Sequence, residues 1–417
     1  MSELGWKYLT SADKKAILRG IADGHAYGGP YHVEIHPADR CNIDCFFCST
    51  AAIRGTDELS PQRFNDLLAE LRELGTRAIR FSGGGEPLFH RKIKEIVRRI
   101  IETGIPIENI TTNAVLLDEE LAGLLTQCCD QVTVSLNTAD PESYAAMMQT
   151  SSRNYERVLT NVRRLVAVRR QRKARRPLVN IQFLVWRENY RTIPRMYDLA
   201  RDLGADTIFF NGLSSLQPSQ RMDDTEVVEM LRLYEDLIRR DQLRTITSIG
   251  SFERDISSDI NGLIARLGAE RNARPLLSRV RELAQREGSW RDKIRHHLKM
   301  RRNRRIDQAT EGLEPACMIG WYSMLIRSNG IVAPCCILQH KVLGDINTSK
   351  VGDIWHGPDY MRFRAELTRI IRQRDAWRAN DEQTVESICG LVGTDLCPMK
   401  SYYFARDVQF MQELHGV

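Results

Sequence analysis

The 417-residue sequence contains no apolar run approaching the roughly 18 residues that a membrane span needs. Its start, Met1 to Lys7, lacks the basic-then-apolar layout of a signal peptide, so a cytoplasmic protein is expected. No internal repeat or low-complexity tract is evident, and an apolar share of 42% with a charged share of 27% is ordinary for a globular chain. A disulfide framework is not expected either. Of the ten cysteines, seven fall into two motif-like groups, which argues for metal binding in a reducing compartment. Cys128 and Cys129, at a helix end leading into a strand, are expected to be packing residues, and Cys336 is left as a spare thiol.

The formal net charge of +6 is unevenly spread. Residues Arg291 to Arg305 hold eight Lys or Arg against one Asp, and Arg169 to Arg176 hold six in eight positions. Nucleic-acid binding would favour aromatics between the cations, and only Trp290, just upstream, is aromatic. The first tract therefore reads as a surface or interface helix. The second reads as a helix end, where cations complement the dipole.

From residue 31 to about 215 the chain alternates between short apolar strands and helices. Strands are expected at Tyr31 to Ile35, Ala78 to Phe81, Ile107 to Thr112, Gln131 to Leu136, Val179 to Val185 and Thr207 to Phe210. The intervening helices are marked by apolar residues at helical spacing, such as Phe64, Leu67, Leu68, Leu71 and Leu74 after the Ser60-Pro61 start signal, with Gly75 as the stop. Strands separated by helices predict right-handed crossovers and a parallel sheet. Residues 1–30 read as a leading helix and connector. Between Asp223 and Thr310 the strand pattern gives way to helical periodicity, so 216–312 reads as a helical insertion. From 313 onward the chain reads as a small α+β domain.

Two features sit where parallel α/β folds collect their functional groups, after the C-terminal ends of strands. After the first strand, Cys41, Cys45 and Cys48 are spaced C-x3-C-x2-C. Soft thiolates on one tight loop favour iron–sulfur, Zn or Cu(I) over hard cations. A cubane cluster takes four thiolates, so three leave one iron open; a structural zinc knuckle is the alternative. After the second strand comes Gly83-Gly84-Gly85-Glu86, where glycines let the backbone approach a ligand and a carboxylate suits a protonated amine. The C-terminal group is Cys317, then Gly330 and Cys335 in a C-x12-G-x4-C spacing, followed by Cys389 and Cys397.

The cysteine loop resembles that of the radical S-adenosylmethionine (radical SAM) superfamily, and Gly84-Gly85-Glu86 resembles the family's Gly-Gly-Glu motif. The resemblance implies an incomplete (β/α)6 TIM-like barrel. It implies a 4Fe–4S cluster on Cys41, Cys45 and Cys48 whose open iron binds S-adenosyl-L-methionine (SAM), Phe47 against the adenine, and Gly84, Gly85 and Glu86 at the amino group. Ser135 and Asn137 fall where the family contacts the ribose and carboxylate, with turn chemistry as the alternative. The C-terminal cysteines resemble the auxiliary-cluster domains called SPASM and twitch. The full SPASM set of seven cysteines is absent, so the shorter twitch form with one second 4Fe–4S cluster on Cys317, Cys335, Cys389 and Cys397 fits better. Cys336 is then a further ligand, a packing residue or a hydrogen-atom donor, and four zinc-bound thiolates are the alternative for the site.

A radical SAM enzyme of this kind is expected to take a hydrogen atom from a small polar substrate of sugar or aminocyclitol type and to oxidise an alcohol by two electrons, the auxiliary cluster accepting an electron. Epimerisation with Cys336 as hydrogen donor and modification of a ribosomally made peptide are the competing enzyme readings. The peptide reading is weakened by an N-terminal segment too short for a leader-binding domain. A non-catalytic zinc protein that binds RNA is the reading from another class. The expected partners are the small-molecule substrate and an electron donor such as flavodoxin or ferredoxin, with no membrane and no nucleic acid.

Overall fold

The computed structural model describes residues 8–48, 50–212, 319–336 and 338–372, with scattered positions between 222 and 237 and the strand at 244–248. Most of the expected insertion at 216–312, the basic tract Arg291 to Arg305, and Cys317, Cys389 and Cys397 lie outside the described residues.

The expected strands are present: β1 (His32–Ile35), β2 (Ala78–Phe81), β3 (Ile107–Thr112), β4 (Gln131–Ser135), β5 (Leu178–Val185) and β6 (Thr207–Gly212). They pair in chain order, all parallel. The helices between them start and stop where local chemistry dictates. Ser60 accepts from Arg63 N at 3.2 Å with Pro61 in the first turn, and Gly104 closes the helix Ile93–Thr103 at φ +74°. Apolar faces such as Phe64, Leu67, Leu68 and Leu71 are buried on the outer side of the sheet, where Phe64 meets Phe81 edge to face at 5.9 Å. This is the incomplete TIM-like barrel the alternation predicts.

Two additions were not expected. A seventh parallel strand, β7 (Arg244–Ser248), pairs with β6 inside the stretch read as helical, its Thr and Ile suiting a pleated edge. At the other edge β8 (Ser323–Ile326) pairs in parallel with β1, so one sheet continues across the expected domain boundary at 313. It runs on through antiparallel β9 (Ile331–Ala333) and β10 (Gly344–Asp345). The hairpin between β8 and β9 turns at Gly330, whose φ is +88° and where a Cβ would meet Asn347 Nδ2 at 2.2 Å.

The face of the sheet opposite the helices is polar. Thr133 donates to Asn109 Oδ1 at 2.8 Å, and Thr207 donates to Asn180 Oδ1 at 2.6 Å. His32, Glu34 and Arg80 share that face by strand alternation and register. A register shift between β2 and β3 leaves Glu108 opposite no residue, a bulge that turns its buried carboxylate to His32. The strands were read as plainly apolar. The period-two signal for a polar lumen was present in His32-Val33-Glu34-Ile35 and in Val132-Thr133-Val134-Ser135.

The second basic run is not a bare solvated face. Arg169 bonds Asp206 and Pro177 O, Arg172 bonds Gly123 O at 3.0 Å, and Arg176 bonds Asp130 at 2.9 Å and Gln127 O at 3.1 Å. Three of its cations clamp the helix Glu119–Cys128 and the strand starts beside it. Cys128 and Cys129, at the end of that helix, are buried as expected.

Candidate functional site

Cys41, Cys45 and Cys48 sit half-buried on the loop leaving β1. The loop is bound from several sides: Asp44 N donates to Met148 O at 3.1 Å, Phe46 N to Met147 O at 3.2 Å, and Asp39 N to Asp57 O at 2.9 Å. Asn113, just past β3, donates to Asn42 Oδ1 at 2.8 Å and points the same amide nitrogen at Cys41 Sγ, 3.9 Å away. Burial, reinforced by the charges of Cys41 and Cys48, pushes the Cys45 thiol up to about 12. Burial likewise raises Cys41, with the Glu86 and Cys48 charges acting in the same direction. Cys45 thus lies in the field of both other thiols, and a cation beside them would favour the ionised forms. Among the described residues no three His, Cys, Asp or Glu side chains are close enough to enclose a single ion. Three soft thiols on one loop are a donor set that fits three irons of a cubane.

The glycine turn is packed against the cysteine loop as well as placed where a ligand is expected. Gly85 N donates to Ala38 O at 3.0 Å and Glu86 N to Arg40 O at 2.9 Å. A Cβ on Gly85 would lie 2.1 Å from Arg40 O, and one on Gly83 would lie 2.3 Å from His36 Nε2. What these glycines approach closely is the cysteine loop and the end of β1. Gly83 and Gly84 also hold positive φ, +42° and +65°. The Gly84 carbonyl accepts from Thr50 Oγ1 at 2.8 Å, and the same hydroxyl lies 3.3 Å from Cys48 Sγ. The turn and the loop are therefore one unit.

Glu86 is buried and its carboxylate accepts from three donors. Oε1 accepts from Leu88 N at 3.1 Å and from Thr112 Oγ1 at 2.5 Å, and Oε2 accepts from Asn113 N at 2.7 Å. Burial lifts its pKa to about 7 against the pull of these donors. It joins the turn after β2 to the end of β3, and a ligand amine would meet it as an added partner. Asn137, at φ +58°, accepts from Leu184 N at 3.0 Å and so ties the end of β4 to β5. Ser135 is half-buried in register with Gln182. Phe47 packs partly buried against the core and meets Phe46 edge-on at 5.2 Å.

Two residues of this region were missed. Trp186, at the end of β5, lies 5.3 Å from the ring of Phe46. His36, at the end of β1, is 1% exposed; its backbone N donates to Ile326 O at 2.9 Å, but its ring nitrogens make no hydrogen bond among the described residues, Nε2 standing 3.5 Å from Glu34 Oε1. Neither carries a spacing signal. Their common property is a place at a strand's C-terminal end, and that was the available clue.

In the C-terminal region Cys335 is half-buried and Cys336 exposed, just after β9. Exposure removes packing as an account of Cys336. The other three expected ligands lie outside the described residues.

Residues 35–211 match the model of the Radical SAM superfamily, and residues 317–388 match that of SPASM, an iron–sulfur cluster-binding domain. Curated relatives include the probable GTP 3',8-cyclase of Methanocaldococcus jannaschii, 27% identical over 42% of this chain and 56% of that protein. The PqqA peptide cyclase of Streptomyces rochei is 33% identical over 44% of this chain and 48% of its own length. The chain thus spans about half the length of these relatives. Among solved structures, Streptococcus suis SuiB bound to S-adenosylmethionine superposes with a TM-score of 0.56 at 17% identity, covering 84% of this chain and 71% of that one, a likeness of fold.

Proposed function

We propose that this chain, which carries a radical SAM domain followed by a SPASM iron–sulfur cluster-binding domain, oxidises a small hydroxyl-bearing substrate of sugar or aminocyclitol type. The single observation that carries the substrate class is the hydrogen-bonded polar lining of the lumen face, Asn109, Thr133, Asn180 and Thr207, with Glu34 and Arg80 on the same face. These groups already bond one another across the strands, and a polyhydroxylated guest can join such a network through remaining acceptor and donor positions, which an apolar one cannot. With SAM and a reduced cluster bound, the family chemistry supplies a 5'-deoxyadenosyl radical that abstracts hydrogen from carbon. The protein's part is to hold the thiol loop through Asn113, Met147, Met148 and the glycine turn, and to receive the substrate on the lumen side.

In this reading Cys41, Cys45 and Cys48 hold the first cluster and Cys317, Cys335, Cys389 and Cys397 the auxiliary one. Phe47, Gly84, Gly85, Glu86, Ser135 and Asn137 serve the SAM site. Four protein thiolates on the auxiliary cluster leave no open iron, which favours electron acceptance over substrate ligation. Epimerisation is the competing outcome on the same substrate class, with the exposed Cys336 as hydrogen donor. Peptide modification is the other competing reading, supported by the 33% identity to a peptide cyclase.

Anaerobically purified and reconstituted protein is expected to hold about eight irons per chain and, with SAM and dithionite, to form 5'-deoxyadenosine. A panel of polyols, amino sugars and short peptides in deuterated water then separates the readings. A ketone from a polyol supports oxidation. Deuterium placed at an inverted carbon, and lost in Cys336→Ala while 5'-deoxyadenosine still forms, supports epimerisation. Turnover of peptides alone overturns the small-substrate reading, and colourless zinc-containing protein overturns the enzyme reading altogether.

A further inference from the structure

On the lumen face of β1 to β6, Glu34 is the charged residue that is not buried. The polar residues Asn109, Thr133 and Asn180 on the same face are buried and bonded to one another across the strands. His32 and Glu108 are buried as well and meet each other. Arg80, in register with Glu34, is 6% exposed and offsets part of its charge from within the wall. The Glu34 side chain keeps 12% of its surface open. A guest entering the lumen therefore meets the carboxylate before it meets any of the buried charges.

The contacts of this carboxylate fall on one of its oxygens. Ser82, just past β2, donates to Oε1, and His36 Nε2 stands 3.5 Å from the same atom. Oε2 accepts no hydrogen bond among the described residues. His36 is itself pinned, its backbone N by Ile326 O at 2.9 Å and its ring by Gly83, where a Cβ would lie 2.3 Å from Nε2. Burial works to raise the Glu34 carboxyl, but His36, Arg80 and Ser82 bring it down to about 2, so it is an anion at neutral pH. An anion with one oxygen left over favours a guest that brings positive charge and N–H donors, because charge-assisted hydrogen bonds are about twice as strong as neutral ones. A protonated amine supplies three donors and the charge, whereas a hydroxyl supplies one donor and none. An amine held at Glu34 also sets the rest of the guest beside the glycine turn, which Ser82 opens and which serves the SAM site in the proposed function.

We propose that Glu34 anchors the protonated amine of an amino sugar or aminocyclitol, with Ser82 and His36 holding its carboxylate in place. This rests on the reading that the chain acts on a small hydroxyl-bearing substrate, and it narrows that class to members carrying an amine. Guests bearing a carboxylate or a phosphate at the same position are repelled.

The test uses the full chain, reconstituted and loaded with SAM, and isosteric pairs of probes: glucosamine with glucose, galactosamine with galactose, and inosamine with inositol. Calorimetric titration at about pH 6.5, where amines of the α-amino kind are protonated, is expected to show the amine of at least one pair bound tighter than its hydroxyl partner by about tenfold or more. Glu34→Gln keeps the shape and removes the charge, and is expected to erase that preference with iron content and SAM affinity unchanged. Equal binding within every pair, or a preference for the hydroxyl member, overturns the inference and leaves the small-substrate reading standing. Failure of every probe to bind overturns that reading and the inference with it. A loss of SAM affinity in Glu34→Gln as large as the loss of amine affinity assigns the carboxylate to the cofactor and overturns the inference alone. If Glu34→Gln does not fold, Ser82→Ala, which releases Oε1, is expected to weaken the amine preference by about threefold, and an unchanged preference is the overturning result.

Discussion

The first cysteine loop is bonded to the glycine turn, to the end of β3 and to the chain around Met148, whereas the segment carrying Cys335 and Cys336 follows a short hairpin that joins the barrel along one strand edge, β8 on β1. In the first region the thiols are positioned by parts of the chain as far apart as residues 38 and 148. In the second, Cys335 packs partly buried against the core, and the chain that follows it is tied back to the first seventy residues, Arg63 donating to Ile346 O, Trp355 to Gly28 O and Thr368 to Ile21 O. The difference teaches that the two cysteine regions answer to different kinds of damage: the first to anything that shifts the strand ends, the second to anything that loosens the sheet edge at β8 or the helices bonded to residues 21–70.

The largest effect expected separates the two cysteine groups by function. Cys45→Ala should reduce 5'-deoxyadenosine formation to background, while Cys335→Ala should leave it measurable, cost about half of the bound iron, and remove oxidised product. Equal loss of 5'-deoxyadenosine in both variants would break the comparison, and quantification by liquid chromatography decides it.

Next is a charge beneath the first site. Burial works to raise the Glu34 carboxyl, but His36, Arg80 and Ser82 outweigh it and bring the pKa from 4.5 to about 2. A depressed folded value means stability that is present above pH 4.5 and lost as the pH falls toward 2. Its full size is about 3 kcal/mol, an upper figure for a group this buried. Urea unfolding of the wild type and Glu34→Gln between pH 2 and 7 should show a gap that opens as the pH rises from 2 to 4.5 and stays constant above it. Parallel curves would remove Glu34 from the account.

The dependence of the first loop on the glycine turn can be sharpened by two alanines. At Gly85 a Cβ would press on the Arg40 carbonyl at 2.1 Å, and about 2 kcal/mol of overpacking is expected, with loss of iron from the first cluster. At Gly104 nothing lies within 4 Å and only the positive φ of +74° resists, so Gly104→Ala should cost about 1 kcal/mol and leave iron unchanged. Unfolding midpoints and iron content measured together test both statements.

The smallest effect is set by Arg176, a half-exposed clamp on Asp130 far from either site. Arg176→Ala should cost about 0.5 kcal/mol and leave iron and 5'-deoxyadenosine formation untouched.

Much of this was readable from the chain. The alternation of periods, Ser60-Pro61, Gly104 and the boundaries of β2 and β3 are local facts, set within a few residues by steric and hydrogen-bond rules, and they survive into the structure. The strand Arg244–Ser248 was not read, because five residues of modest β propensity become a strand only when an edge such as β6 is there to pair with.

The sequence by itself determined the parallel α/β order, the thiol spacing of Cys41, Cys45 and Cys48, and their place after the first strand, since spacing and periodicity are properties of neighbours along the chain. Only the tertiary structure decided that Gly83 and Gly85 press on His36 and Arg40, that Glu86 is held by Thr112 and Asn113, that β8 extends the barrel sheet, and that Arg364 donates to the Gly320 carbonyl. Those contacts join residues tens to hundreds of positions apart, and close packing, which no local pattern encodes, determines which of them meet.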